Sequence, residues 1–140
     1  MDDWKIRELI AARSMAINAH DVEAAIADID QDVAIYELVP PLAMEGIAAS
    51  RQRTVDWFAT YSDGPYWQDG EITVISDGDV AFSHAINRVT GTSSSGDQVD
   101  MWFRTTPGWR RRDGRWRIVH DHNSVPFDPA SGKGRLDLEP

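Results

Sequence analysis

The chain contains no cysteine among its 140 residues. Disulfides, thiol nucleophiles, cysteine-ligated zinc and iron–sulfur clusters are therefore excluded. It also lacks a long apolar run: nothing approaches the ~20 residues that a bilayer-spanning helix needs. The start, Met1-Asp2-Asp3-Trp4-Lys5, has neither the basic opening nor the apolar core of a signal peptide. Positive charge is scarce: 14 Lys and Arg stand against 23 Asp and Glu, a formal charge of −9. Such a chain is a poor generic binder of nucleic acid or anionic membrane. There is no Gly-x-Ser-x-Gly elbow and no glycine-rich phosphate loop followed by Lys, which argues against serine hydrolysis and nucleotide cofactors. The expectation is a soluble, cytoplasmic protein with no nucleic-acid or membrane partner.

What is present suits one globular domain. Apolar residues make up 41% of the chain, enough for a core that needs no staples. Ile6, Leu9, Ile10, Ala16 and Ile17 trace one stripe of a 3.6-residue period, so the chain opens on a helix. Asn18-Ala19-His20-Asp21 breaks it, and Asp21 can cap a second helix over Val22 to Ile29. A strand from Val33 to Val39 stops at Pro40-Pro41. A third helix runs from about Gly46 to Tyr61, ended by Ser62-Asp63-Gly64-Pro65. Strands then follow at Glu71 to Ile75, Val80 to Thr90, Val99 to Thr106 and Trp116 to Val125, with an Asp113-Gly114 hairpin turn before the last. From Phe127 the composition is Pro, Gly, Ser and charge. The spacing predicts a domain over 1–128 and a tail over 129–140, with an α+β fold of helices packed on a curved sheet.

Two segments carry a resemblance. Asn18-Ala19-His20-Asp21, followed by Asp32 to Glu37, resembles the start of ketosteroid-isomerase and nuclear-transport-factor-2-like (NTF2-like) proteins. The ending from Gly114 to Phe127, with Trp116-Arg117-Ile118-Val119-His120-Asp121-His122-Asn123-Ser124, resembles the SnoaL-like branch. The resemblance implies a cone: three N-terminal helices on a strongly curved, mixed, mostly antiparallel sheet, with a pocket at the open end. It implies a cofactor-independent enzyme, without metal, of isomerase or dehydratase type on a hydrophobic cyclic substrate, and a homodimer. A non-catalytic ligand-binding or assembly module of the same fold is the alternative, since this fold hosts both. By the same alignment Glu37 falls where the isomerases keep their catalytic aspartate. Their oxyanion tyrosine falls at Arg13, and its acid partner near Met101.

The residues themselves suggest where chemistry would sit. Strand alternation puts Val33, Ile35, Glu37 and Val39 on one face, so Glu37 is expected to look into the cone as a general base. His120 and His122 share a parity with Trp116 and Ile118, which makes theirs a core-facing row, continued by Ser124. His84, on a neighbouring strand, could join them. Imidazole is the natural acid or base near neutral pH, so His122, helped by His84 or His120, is the expected partner of Glu37. His-x-His with a third ligand could also hold zinc, but two residues of spacing do not specify such a site. Trp57, Tyr61, Trp67, Met101 and Phe103, with His120 and Ser124, are the expected substrate-binding set. A carbon-rich wall of this kind suits a flat hydrophobic ligand. The sheet's outer face, with Trp102 and Val119, is expected to seat a second copy.

Overall fold

The computed structural model describes residues 2–140. Helix α1 (Asp3–Asn18) follows its apolar stripe, burying Ile6, Ala16 and Ile17. The chain then turns sharply at His20, whose φ is 55°. Asp21 caps α2 (Val22–Ala25), its side chain accepting the Ala24 N–H at 3.1 Å. This helix is one turn, shorter than expected, because Ile26 and Ile29 are both drawn into the sheet core. Strand β1 (Ile29–Tyr36) therefore begins four residues early, with Ile29 opposite Ile118.

After β2 (Met44–Glu45) and α3 (Ile47–Ala59), the chain enters β3 (Tyr61–Gln68) at once. The sequence reading had taken Ser62-Asp63-Gly64-Pro65 for a turn. Proline is tolerated at a sheet edge, where its missing N–H costs no ladder bond, and β3 is the terminal strand. Then come β4 (Thr73–Asp77), β5 (Val80–Ser93), β6 (Gln98–Arg112) and β7 (Arg115–Ser124). The sheet order is β2-β1-β7-β6-β5-β3, with β4 pairing the first half of β5 and β3 the second. Only β1 and β7 run parallel; the other pairings are antiparallel. The fold is α+β, as expected, and the sheet does not close. Helices touch both flanks, α3 on β1 and β3, and α1 on β3 and β4, so the curved sheet wraps them.

The core lies at one end, where Ile6, Val33, Ile35, Trp109, Trp116 and Ile118 pack together. The Trp109 indole donates to Ser83 Oγ at 3.0 Å, satisfying a buried donor. One irregularity matters for the site. On β7, Ile118 pairs with Trp109 but His120 pairs with Gly108, so Val119 has no opposite number. That bulge reverses which side chains face inward from there on. Beyond β7 the chain does not simply trail away: β8 (Phe127–Asp128) and β9 (Lys133–Gly134) form a small hairpin. No helix among the described residues is long and apolar enough to cross a membrane.

Candidate functional site

At the end of the fold opposite the packed core lies a cavity of about 780 Å³, within the range of small-molecule sites. Its walls are mostly carbon. Trp57 comes from α3, Tyr61 and Trp67 from β3, Met101 and Phe103 from β6. Their rings meet edge to face: Trp67 stands 5.0 Å from Phe103 at 80°, and 6.1 Å from Trp57 at 84°. Trp67 is held on three sides. Its indole donates to Asp69 at 2.9 Å, its backbone N–H donates to Asn18 Oδ1 at 2.6 Å, and its carbonyl accepts from Asn18 Nδ2 at 3.0 Å. Asn18, the last residue of α1, thus fixes a wall of the cavity. Burial works to raise the Tyr61 phenol above its ordinary pKa. Leu38, Val39, Pro40 and Pro41 are exposed and mark the opening.

Polar groups concentrate at one place in the lining. Arg13 of α1 meets Asp121 of β7, Nη2 to Oδ2, at 3.0 Å. Arg53 of α3 lies 2.6 Å from Glu37, which sits just past β1. Asn123 Nδ2 donates to Glu37 Oε1 at 2.8 Å. The carboxylates are the deeper members, with side chains 2% exposed for Asp121 and 7% for Glu37, against 21% and 17% for Arg13 and Arg53. The acids are thus the more buried member of each pair, and the Nε atoms of both arginines are buried with them. The 2.6 Å approach of Arg53 is off-axis for a hydrogen bond, and Arg13 Nε, Arg53 Nε, Asp121 Oδ1 and Asn123 Oδ1 also lack partners. So many buried unpaired atoms in one cluster are unusual for a region that serves packing alone.

Burial acts to raise the Asp121 carboxyl, but Arg13 and Arg53, with His120 adding a little, outweigh it and hold the pKa below the usual carboxylate range. A depressed folded-state pKa contributes stability above the unfolded value, about 3.9, that is lost as pH falls through the folded value. Acid unfolding below about pH 4 should therefore be shallower in Asp121→Asn than in the native chain. Urea midpoints compared between pH 6 and pH 3 check this; equal losses in both proteins would refute it.

The structure puts the expected site residues in two groups. Glu37, Trp57, Tyr61, Trp67, Met101 and Phe103 all line the cavity. His122, His120, Ser124 and His84 do not. The expected meeting of Glu37 with a histidine is thus corrected, and the cause is the Val119 bulge: past it, Asp121 and Asn123 turn inward while His120 and His122 turn outward. On the outer face those two rings lie 4.7 and 5.4 Å from Tyr36, and His120 Nδ1 is 2.7 Å from the Ala34 carbonyl oxygen. Ser124 Oγ accepts from Arg104 on that face at 3.1 Å. His84 is exposed and stacks on Phe82. Among the described residues no histidine lines the cavity, and no three His, Asp or Glu side chains are grouped to hold a metal ion.

Sequence reasoning missed Arg53, Asp121 and Asn123. A signal existed for Arg13. It falls on the stripe Ile6, Ile10, Arg13, Ile17, with spacings of four, three and four, so a charge interrupts an apolar helix face. Arg53 carries no such mark: its helical neighbours Ser50 and Thr54 are polar, and only the structure shows them buried.

Comparison with known proteins agrees with this architecture. An NTF2-like protein of unknown function from Pseudomonas putida superposes with a TM-score of 0.90 at 27% identity, over 99% of this chain and 96% of its own. A candidate dehydratase of the NTF2-like family from Streptomyces avermitilis gives 0.75 at 16% identity, over 91% and 98%. A candidate ketosteroid isomerase from Shewanella frigidimarina gives 0.71 at 20% identity, over 84% and 92%. No curated protein matches the sequence. The SnoaL-like domain matches residues 6–128, nearly the whole of the sheet and its helices, and the chain belongs to that family.

Proposed function

We propose that the protein binds an uncharged or weakly polar cyclic small molecule in this cavity and catalyses proton transfer on it, as an isomerase or dehydratase acting next to a carbonyl. The observation that carries the reading is a buried carboxylate, Glu37, beside the Arg53 guanidinium in a mostly carbon-lined cavity. Glu37 would take a proton from the carbon α to the carbonyl. The C–H electron pair would move into the carbonyl, leaving an enolate oxygen. Arg13 and Arg53, whose planar N–H groups are always charged, would stabilise that oxygen. With a β,γ-unsaturated ketone, the enolate is a dienolate, and return of the proton from Glu37 to its γ-carbon gives the conjugated isomer; with a β-hydroxy ketone, return of the proton to the departing hydroxyl gives water and an enone. Histidine has no part in this scheme.

A second reading, a ligand-binding or assembly module without turnover, rests on one specific observation. Glu37 is already held: Oε1 accepts from Asn123 and from the Leu38 N–H at 3.2 Å, and Oε2 lies in an ion pair with Arg53, without a hydrogen bond. Proton exchange separates the two. Cyclic ketones, steroid enones and polyketide fragments that bind are held in D2O with the protein, and loss of the α-hydrogen signal is followed by NMR. Exchange well above the buffer rate is expected; tight binding without exchange would favour the module.

Assembly belongs to the same proposal. The outer sheet face exposes Tyr36, Phe82 and Ile86, apolar side chains that are costly to leave wet, and a twofold mate would cover them. Sedimentation at micromolar concentration should give a dimer; a monomer alone would count against this.

A further inference from the structure

Arginines in a cavity ordinarily serve as hooks for a ligand's carboxylate or phosphate. Here both are already matched. The charged lining residues are Arg13 and Arg53 against Glu37, Asp56 and Asp121, so the cavity has no positive charge to spare, within a chain of net charge −9. Asp56 is occupied by Gln52 at the exposed side of α3. The other two acids are nearly fully buried and each lies against the guanidinium that it neutralises.

We infer that the cavity selects an uncharged, carbonyl-bearing ligand over the carboxylate of the same shape, and that Asp121 and Glu37 set this choice by cancelling Arg13 and Arg53. The inference rests on the reading that the cavity binds a small molecule, and it names the polar end of that molecule. An entering carboxylate must either share a guanidinium with a resident acid, bringing like charges together, or displace an acid that is almost fully buried. Either is costly in a poorly solvated site. A carbonyl oxygen displaces nothing. Each guanidinium has five N–H donors, the acids take only some of them, and the carbonyl needs one.

Calorimetry with two ligands of one ring system tests this: 2-acetylnaphthalene, neutral, and 2-naphthoate, anionic at pH 7. The native protein should bind the ketone at least tenfold more tightly. Asp121→Asn keeps the shape and releases the charge of Arg13. It should strengthen naphthoate binding about tenfold while changing ketone binding less than threefold. Glu37→Gln should do the same through Arg53, and it serves if Asp121→Asn folds poorly by circular dichroism. A purely structural role for either acid would move both affinities together, and that result overturns the inference. So does tighter naphthoate binding by the native protein. Trp57→Ala should weaken both ligands, since its indole is part of the wall. If neither ligand binds, the cavity reading and this inference fall together. If the selection is seen but no α-hydrogen exchange occurs, only the proton-transfer reading falls.

Discussion

Replacing Glu37 by Gln should slow α-hydrogen exchange by about 10² to 10⁴, the range for a lost general base. The amide keeps the shape and can still meet Asn123, so affinity for a neutral ketone should barely change, and the loss should appear in kcat rather than KM. The effect is large because the cavity offers few substitutes. Asp121 is the one other deeply buried acid there, and its Oδ2 is tied to Arg13. A silent Glu37→Gln, with exchange demonstrated in the native protein, would move the base to Asp121, and Asp121→Asn in the same assay would then abolish exchange. His122→Ala should be silent, since that ring lies on the other face of the sheet.

The second large effect is on stability. Arg13→Met should cost about 3–5 kcal/mol, because it leaves the Asp121 carboxylate buried without its partner. That is a large share of the ~5–15 kcal/mol by which a domain is stable. Arg53 would moderate the loss, and the cavity would admit some water. The paired change Arg13→Met with Asp121→Leu should recover most of it, since a buried ion pair replaced by apolar groups of similar volume is often neutral. Urea unfolding of the two variants reads both expectations. A loss below about 1 kcal/mol in the single variant would mean that Asp121 is solvated or protonated, contrary to the geometry.

Most of the architecture could be read from short-range pattern. The stripe in α1, the Asp21 cap and the Asp113-Gly114 turn are local signals, and α1, the start of α2 and the β6–β7 turn appeared where they pointed, although α2 stopped after one turn. The strand β3 was hidden because Gly64 and Pro65 are punctuation in most contexts, and edge position alone makes them admissible in a sheet. Half of the site was legible for a similar reason. Alternation along β1 is continuous from Val33 to Glu37, so Glu37 could be assigned its face. Alternation along β7 is broken at Val119, and no residue type announces a bulge there. The choice between a histidine row and an Asp121–Asn123 row therefore depended on pairing with Gly108 across the sheet, a non-local fact. Arg13 and Arg53 come from two different helices, and their convergence on two acids is tertiary information.

The hairpin after β7 bears on how a ligand leaves. Gly134 and Leu136 border the cavity, yet both lie beyond Asp128, where the family match ends. The stretch matched by the family thus provides the aromatic walls and the charged groups, while the segment after it adds Gly134 and Leu136 to the lining. On the proposed function, fit and residence time would then depend on different parts of the chain. Change around Leu136 would then alter the dissociation rate and leave the chemistry proposed for Glu37 untouched, so two proteins with the same reaction could hold their products for very different times.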